Sequence, residues 1–338
     1  MNSLPFADCQ TLLEHANREI DAKIRSGELF SALDFASILI TVSGQESEIL
    51  AGFDTKAVCY DKLGAHDLEL LTYNDAVDRL ASSAEPDIRD GLNSLLYNKG
   101  VTLSNLDRNA EALSTYDFVI QRSKGAISAD ARDTLARAMY NRAAIIKELS
   151  TDREAIAAFE GLISSLSDDD EPSVRAQVAK AYAALGQLYS NEKDFPKAID
   201  YYQKAEDIFP FTLDQIPSRL QNSIRSNQGV TLAKSNRVEE AVRIFSRIIR
   251  ELEHAPDEES RLVAYGAFLN RAIAQQKIDK EQSLSDIDAA IAGLRTAISP
   301  TASLMLKSAE QLKSAFKDGV ASSEPDAFPD VKLPVGSV

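Results

Sequence analysis

The chain has 338 residues, with 37 Lys and Arg against 52 Asp and Glu, so its formal net charge is −15. An apolar content of 44% excludes a fully disordered chain, and 14 Gly with 11 Pro exclude a collagen-like or linker-dominated one. The acidic balance argues against bulk electrostatic attraction to nucleic acid or to anionic lipid.

Cysteine content and apolar patterning bear on the compartment. Two cysteines, Cys9 and Cys59, cannot cross-link a chain of this length, which predicts a reducing environment. The first residues carry no basic segment before an apolar stretch, so we expect no signal peptide. Apolar runs such as 35–42 are far shorter than the roughly 18 residues of a membrane span. We therefore predict a cytoplasmic protein without membrane contact.

The first predicted elements are two amphipathic helices. Apolar residues recur at helical spacing in 12–24 and again in 29–40. We expect residues 1–45 to form a degenerate helix pair that caps the rest of the fold.

From residue 46 onward, the chain repeats itself every 43 residues. A small residue recurs at this spacing at Ala57, Gly100, Ala143, Gly186, Gly229 and Ala272. Four copies then carry an alanine, followed four residues later by an aromatic residue: Ala112 and Tyr116, Ala155 and Phe159, Ala198 and Tyr202, Ala241 and Phe245. Apolar spacings of three and four, with a polar turn between the two parts, predict helix A, a tight turn and helix B. We expect the small residue to lie where the two helices cross closely, with the aromatic ring beside it.

The last part of the chain departs from the repeat. The final copy is one residue short in its turn, which places Ile287 at the position of the aromatic ring. We predict six repeats over 46–298, a capping helix over 299–320 and a disordered tail over 321–338, where Ser, Pro and Asp cluster.

One copy, 179–210, resembles the tetratricopeptide repeat (TPR) family. The residues that carry the resemblance are Tyr182, Leu185, Gly186, Tyr189, Ala198, Tyr202, Ala205 and Pro210. The period is about nine residues longer than the usual ~34, and we expect the surplus to lengthen the start of helix A and the loop before it. Long repeats of this kind are similar to those of kinesin light chains and bacterial peptide-sensing regulators. The resemblance implies an all-α fold, a right-handed α-solenoid of stacked helix-turn-helix repeats, and a non-catalytic scaffold for protein–protein interaction.

An asparagine precedes the small residue by two positions in four of the six copies. These residues are Asn98, Asn141, Asn227 and Asn270. In the TPR family this position faces the concave groove, and the series resembles the asparagine ladder of O-linked sugar transferases, kinesin light chains and peptide-sensing regulators. A carboxamide can pair with both the N–H and the C=O of an extended peptide. The alternative is structural, with the asparagines held by hydrogen bonds between helices. On the ladder hypothesis, replacing Asn141 or Asn227 by Ala weakens binding and leaves melting nearly unchanged.

Basic residues on the A helices suggest the charge of a ligand. Arg137, Lys180 and Arg225 occupy or adjoin groove positions, which favours an acidic peptide or a C-terminal carboxylate. The alternative is that the A-helix bases neutralise carboxylates on adjacent helices. A basic residue also follows three of the asparagines, at Lys99, Arg142 and Arg271.

Catalytic, metal and cofactor sites are not expected. His15, His66 and His254 lie in different parts of the chain, and none shares a helical face with a cysteine or a second histidine. There is no glycine-rich phosphate loop after a strand, so we predict no enzyme activity and no cofactor. The leading hypothesis is a scaffold that binds a protein or peptide, and the alternative is an assembly protein that uses its solenoid faces. Nucleic-acid binding is disfavoured by the net charge, and the oligomeric state is left open.

Overall fold

The computed structural model describes residues 6–208 and 218–317. In these two ranges every regular element is an α-helix. The helices are α1 (Phe6–Ser26), α2 (Leu29–Val42), α3 (Glu46–Lys62), α4 (His66–Leu80), α5 (Pro86–Asn105), α6 (Asn109–Arg122), α7 (Ala129–Leu149), α8 (Asp152–Leu166), α9 (Pro172–Asn191), α10 (Phe195–Ile208), α11 (Ser218–Lys234), α12 (Val238–Leu252), α13 (Glu258–Gln275), α14 (Lys280–Leu294) and α15 (Pro300–Lys317). The predicted tail over 321–338 lies outside the described residues.

The chain divides into two compact units, residues 1–150 and residues 151–338. The first unit contains α1–α7 and the second contains α8–α15. Within each unit, the main packing partners of a helix are the helices one or two places away along the chain. The all-α prediction of stacked helix-turn-helix pairs is confirmed. None of the described helices is both long and apolar enough to cross a membrane.

The small residue of helix A packs directly against the aromatic ring of helix B. A Cβ atom on Gly100 would lie 2.5 Å from Cε1 of Tyr116, and one on Gly186 would lie 2.9 Å from Cε1 of Tyr202. Both rings are only 1% exposed. Close-packed interiors leave no space for an added methyl group, so the ring of helix B explains why the repeat requires a small residue on helix A.

The A–B turn has a recurring backbone geometry. The residues with positive φ in these turns are Gly64, Asp107, Lys193 and Asn236, with values of 67°, 57°, 64° and 65°. In the α5–α6 turn, the N–H of Asp107 donates to the C=O of Ser104 at 3.0 Å and the N–H of Arg108 to the C=O of Leu103 at 2.9 Å. This Schellman pairing satisfies the last carbonyl groups of helix A and allows helix B to begin at once.

Candidate functional site

The four predicted asparagines all lie on A helices but differ in exposure. In the first unit, Asn98 on α5 is exposed, whereas Asn141 on α7 is only 5% exposed. In the second unit, Asn227 on α11 and Asn270 on α13 are both half-buried. The same repeat position therefore offers its carboxamide to different surroundings, and the four residues need separate treatment.

Asn141 is engaged by two tyrosines of the first unit. Its Nδ2 donates to the hydroxyl oxygen of Tyr97 at 3.1 Å and to that of Tyr116 at 3.3 Å. Burial raises the pKa of both tyrosines, although the Asn141 hydrogen bond acts in the opposite direction. The carboxamide joins α7 to α5 and α6, which is the structural role that the sequence left open. The structure therefore predicts that loss of Asn141 lowers the melting temperature, contrary to the expectation from the sequence.

The carboxamides of the other three asparagines make few or no hydrogen bonds to the described residues. Within the two described ranges, the side chains of Asn98 and Asn227 make no hydrogen bond to the protein. Asn270 Nδ2 lies 3.5 Å from the hydroxyl of Ser226, the long limit for such a bond. Ser226 occupies the same repeat position as Tyr97. On α9 this position is Ala183, whose side chain offers no polar group to Asn227. These carboxamides retain their capacity to bind a ligand.

Arg225, a predicted groove residue, is buried in an ion cluster. It is only 4% exposed, and its Nε lies 2.8 Å from Oε1 of Glu206 on α10. Its Nη1 lies 3.0 Å from Oε2 of Glu251 on α12, and donates to Asn222 Oδ1 at 3.1 Å. Burial disfavours the Glu251 carboxylate, yet hydrogen bonding from Arg247 and the charge of Arg225 hold its pKa below the ordinary value. The guanidinium of Arg225 connects three helices of the second unit.

The other two predicted bases are half-buried. Arg137 on α7 forms an ion pair with Asp133 one turn earlier, at 2.8 Å between Nε and Oδ2. Lys180 lies on α9 in the second unit. Arg137 is therefore already balanced by a carboxylate of its own helix, and its net contribution to a positive surface is small.

The base that follows the asparagine reaches a B helix in each of three repeats. Lys99 Nζ donates to Asn74 Oδ1 on α4 at 2.8 Å, and Arg142 Nε lies 2.5 Å from Asp117 Oδ1 on α6. Arg271 lies 2.7 Å from Asp286 on α14, whose side chain is 2% exposed. Arg142 and Arg271 thus neutralise carboxylates on neighbouring helices, as the alternative interpretation of these bases predicted, whereas Lys99 meets a carboxamide.

Two further asparagines at repeat spacing, Asn93 and Asn222, were not predicted to have a role. The two residues are three repeat periods apart and are 3% and 0% exposed. Asn93 Oδ1 accepts from Arg122 at 2.8 Å, and Asn222 Oδ1 accepts from Arg225 at 3.1 Å. The spacing that identified the first series would also have identified this pair, whose role is to position a buried or half-buried arginine.

Comparison with protein families identifies one repeat directly. The family model described as "Tetratricopeptide repeat" matches residues 179–211. This is the copy whose residues carried the resemblance, and the described part of it spans α9 and α10. A comparison with curated proteins found no match.

Solved structures with this fold cover most of the chain at low sequence identity. A signal transduction ATPase with numerous domains (STAND) from Pyrococcus horikoshii, which has a tetratricopeptide repeat sensor, is 13% identical over 90% of this chain with a TM-score of 0.65. This chain spans 44% of that protein. The apo form of the quorum sensor NprR from B. thuringiensis is 13% identical, covering 94% of this chain and 89% of its own, at a TM-score of 0.54.

A tetratricopeptide repeat protein from Parabacteroides merdae gives a third match. It is 11% identical, and the alignment covers 88% of this chain and 98% of that chain at a TM-score of 0.53. At these identities the three matches establish the fold and carry no residue roles from one chain to another. The described helices therefore have the architecture found in these proteins.

Proposed function

Because the chain has the tetratricopeptide-repeat fold, with residues 179–211 matching the family model, we propose that it is a non-catalytic scaffold that binds an extended peptide segment along its A helices. One observation carries the proposal: Asn98 and Asn227 present carboxamides that no described residue of the protein engages. A polar group left without a partner on a helix face is available to a ligand backbone.

The peptide contacts are assigned to Asn98 in the first unit and, separately, to Asn227 and Asn270 in the second unit. Each carboxamide can accept from one peptide N–H and donate to one C=O, so it binds the ligand backbone whatever the ligand side chains are. Asn141 supports the site differently, because its Nδ2 is occupied by Tyr97 and Tyr116. In this proposal Asn141 positions Tyr97 on α5, next to Asn98.

The proposed preference for an acidic peptide rests on Lys180. Arg225 is buried between two glutamates, so it has no capacity to bind a further carboxylate, and Arg137 is paired with Asp133. Lys180 is partly exposed and lies on an A helix. A peptide with a carboxylate beside the contacted backbone would add a charge-assisted bond at Lys180.

A sensory or regulatory role fits the same site. Two similar structures belong to sensors, one within a signal transduction ATPase and one a quorum sensor. In this proposal, peptide binding by this chain would likewise serve to sense a signal. We place the protein in the cytoplasm on the basis of its two cysteines in 338 residues.

The test is selection of peptides from a phage-displayed library on the immobilised full chain. A selected peptide is then measured against Asn98→Ala, Asn227→Ala and Asn270→Ala, and the variants in the unit that holds the peptide should bind it about fivefold to a hundredfold more weakly. Asn105→Ala and Asn191→Ala serve as matched controls, because both asparagines are exposed at the last residue of an A helix. Equal affinity of the three variants and the two controls would contradict the proposed contacts.

A second candidate function, assembly through the ends of the chain, is favoured by exposed apolar side chains. Ile298 and Leu304 near α15 are 93% and 69% exposed, and Phe30 in the α1–α2 pair is 74% exposed. Exposed large apolar side chains serve as an association surface where they form one contiguous patch. Sedimentation velocity over a hundredfold concentration range separates the two functions. A concentration-dependent oligomer that is lost in Ile298→Asp supports assembly, and a monomer throughout excludes it.

A further inference from the structure

Three potential metal ligands meet at the α3–α4 turn in the first unit. Asp61 lies in the last turn of α3, and His66 and Glu69 lie in the first turn of α4. One ligand atom from each side chain lies within 4.8 Å of the other two. No metal site was expected from the sequence, because no histidine shares a helical face with a cysteine or a second histidine, and that pattern leaves out the carboxylates on either side of His66.

Glu69 is a buried carboxylate with a fixed orientation. It is 2% exposed, and its Oε1 accepts hydrogen bonds from the hydroxyl groups of Tyr73 at 3.0 Å and Thr102 at 2.6 Å. Its Oε2 lies 3.0 Å from Nδ1 of His66. Within the described residues no lysine or arginine pairs with Glu69. Two hydroxyl groups hold Oε1 and the His66 imidazole faces Oε2, so a cation placed between Nδ1 and Oε2 would compensate the buried carboxylate.

The position of Glu69 in the repeat is a second, independent indication. The four central copies have a buried alanine at this point, at Ala112, Ala155, Ala198 and Ala241, all 0% exposed. The first copy replaces that alanine with an ionisable residue at the crossing of helices A and B. A buried acid in place of a packing alanine costs stability, and such local departures from a pattern are concentrated at functional sites.

We propose that Asp61, His66 and Glu69 bind a first-row divalent cation, most suitably Zn²⁺, with water completing the coordination. Metal binding requires the neutral imidazole tautomer with its proton on Nε2, so that the lone pair of Nδ1 binds the metal together with Oε2 of Glu69. Bond lengths of about 2.0–2.1 Å place neighbouring ligand atoms roughly 3 Å apart, which agrees with the distance between Nδ1 and Oε2. Asp61 is exposed, so its side chain can rotate toward the metal and supply the third protein ligand.

The remaining contacts explain how the protein would support this ion. The hydroxyl groups of Tyr73 and Thr102 hold the far oxygen of Glu69, so that Oε2 stays directed at the metal. Outer contacts of this kind orient metal ligands and tune affinity. The metal would join α3 to α4 in the first unit, and the hydrogen bond from Thr102 to Glu69 links this site to α5.

The test is calorimetric titration of ZnCl₂ into the full chain after treatment with a chelator. We expect one saturating equivalent for the wild type and at least about tenfold weaker binding for His66→Ala and for Asp61→Asn. Asp61 is exposed and His66 is partly exposed, so both variants should fold. His254→Ala is the matched control, because His254 is 91% exposed and lies 3.6 Å from Glu253 without a third ligand.

A second readout uses Glu69→Ala, which restores the alanine of the other repeats. This variant leaves the buried hydroxyl groups of Tyr73 and Thr102 without their acceptor, so it should melt below the wild type without metal. Its melting temperature should not respond to Zn²⁺, whereas that of the wild type should rise. Absence of saturable binding by the wild type overturns the proposal. Equal affinity of wild type and His66→Ala also overturns it, because the bound Zn²⁺ would then lie elsewhere.

Discussion

Asn141 and Asn227 share a repeat position but should respond differently to the same substitution. Asn141→Ala leaves the hydroxyl groups of Tyr97 and Tyr116 without their donor, which should lower the free energy of unfolding by about 1–3 kcal/mol. Asn227→Ala removes a carboxamide that has no partner among the described residues. It should change the free energy of unfolding by less than about 0.5 kcal/mol. Urea unfolding followed by circular dichroism measures both, and equal losses would contradict this assignment.

The sequence contained the information that separates these two asparagines. The residue 44 positions before Asn141 is Tyr97, whereas the residue 44 positions before Asn227 is Ala183. Only the first can accept a hydrogen bond from the carboxamide. The repeat spacing predicted the column of asparagines, but each partner depends on the neighbouring repeat. A pattern search that treats all copies as equivalent therefore cannot predict the partner.

Asp286 should be among the most sensitive single residues of the second unit. Its buried carboxylate accepts hydrogen bonds from Arg271, Gln275 and Gln282. Asp286→Ala leaves the half-buried guanidinium of Arg271 without its counter-charge, so we expect the free energy of unfolding to fall by about 3–5 kcal/mol. Asp288→Ala is the matched control two residues later, because Asp288 is exposed and pairs with Lys313 at the surface. In the same urea titration, Asp288→Ala should lower the free energy of unfolding by less than about 1 kcal/mol.

At the scale of the helix pair, the crossing of helices A and B depends on a single missing methyl group. Gly100→Ala would place a Cβ 2.5 Å from the ring of Tyr116, which has no space to move because it is 1% exposed. We expect this overpacking to lower the free energy of unfolding by about 1–3 kcal/mol, although alanine is the better helix former. In Gly161→Ala the added Cβ meets nothing within 4 Å, so the same change should stabilise α8 by about 0.5–1 kcal/mol. Thermal melting of the two variants should therefore shift in opposite directions.

The helix pairs themselves were largely predictable. Small residue, alanine and aromatic ring recur at fixed spacing, and Gly100 with Tyr116 and Gly186 with Tyr202 pack as predicted. The lengthening predicted for helix A also agrees with the structure, since α5 and α9 have 20 residues each against 14 for α6 and α10. The positive φ of Asp107 and Lys193 was not predicted, because neither residue type marks this conformation as glycine does at Gly64.

At the scale of the whole chain, the division after Ser150 was not visible in the repeat pattern. The third A–B turn lies at this point and lacks the positive φ of its neighbours, since Ser150 has an extended backbone with φ −122° and ψ −170°. Helix α8 begins instead with a capping box between Thr151 and Glu154. A capping box marks the start of a helix but not the border of a compact unit, so the 43-residue spacing continues through the boundary without a signal.

The packing of each helix with its near neighbours along the chain predicts how far a defect spreads. In the first unit α5 packs with α3, α4, α6 and α7, and repeat proteins gain their stability from such nearest-neighbour terms. Gly100→Ala should therefore raise amide hydrogen exchange in α3–α7. The helices α13–α15, which pack with one another in the second unit, should keep their wild-type protection. Exchange measured by mass spectrometry at several times resolves these segments, and Gly161→Ala controls for the substitution itself. An equal rise in α13–α15 would mean that the two units unfold as one cooperative body, and the local account of stability would be wrong.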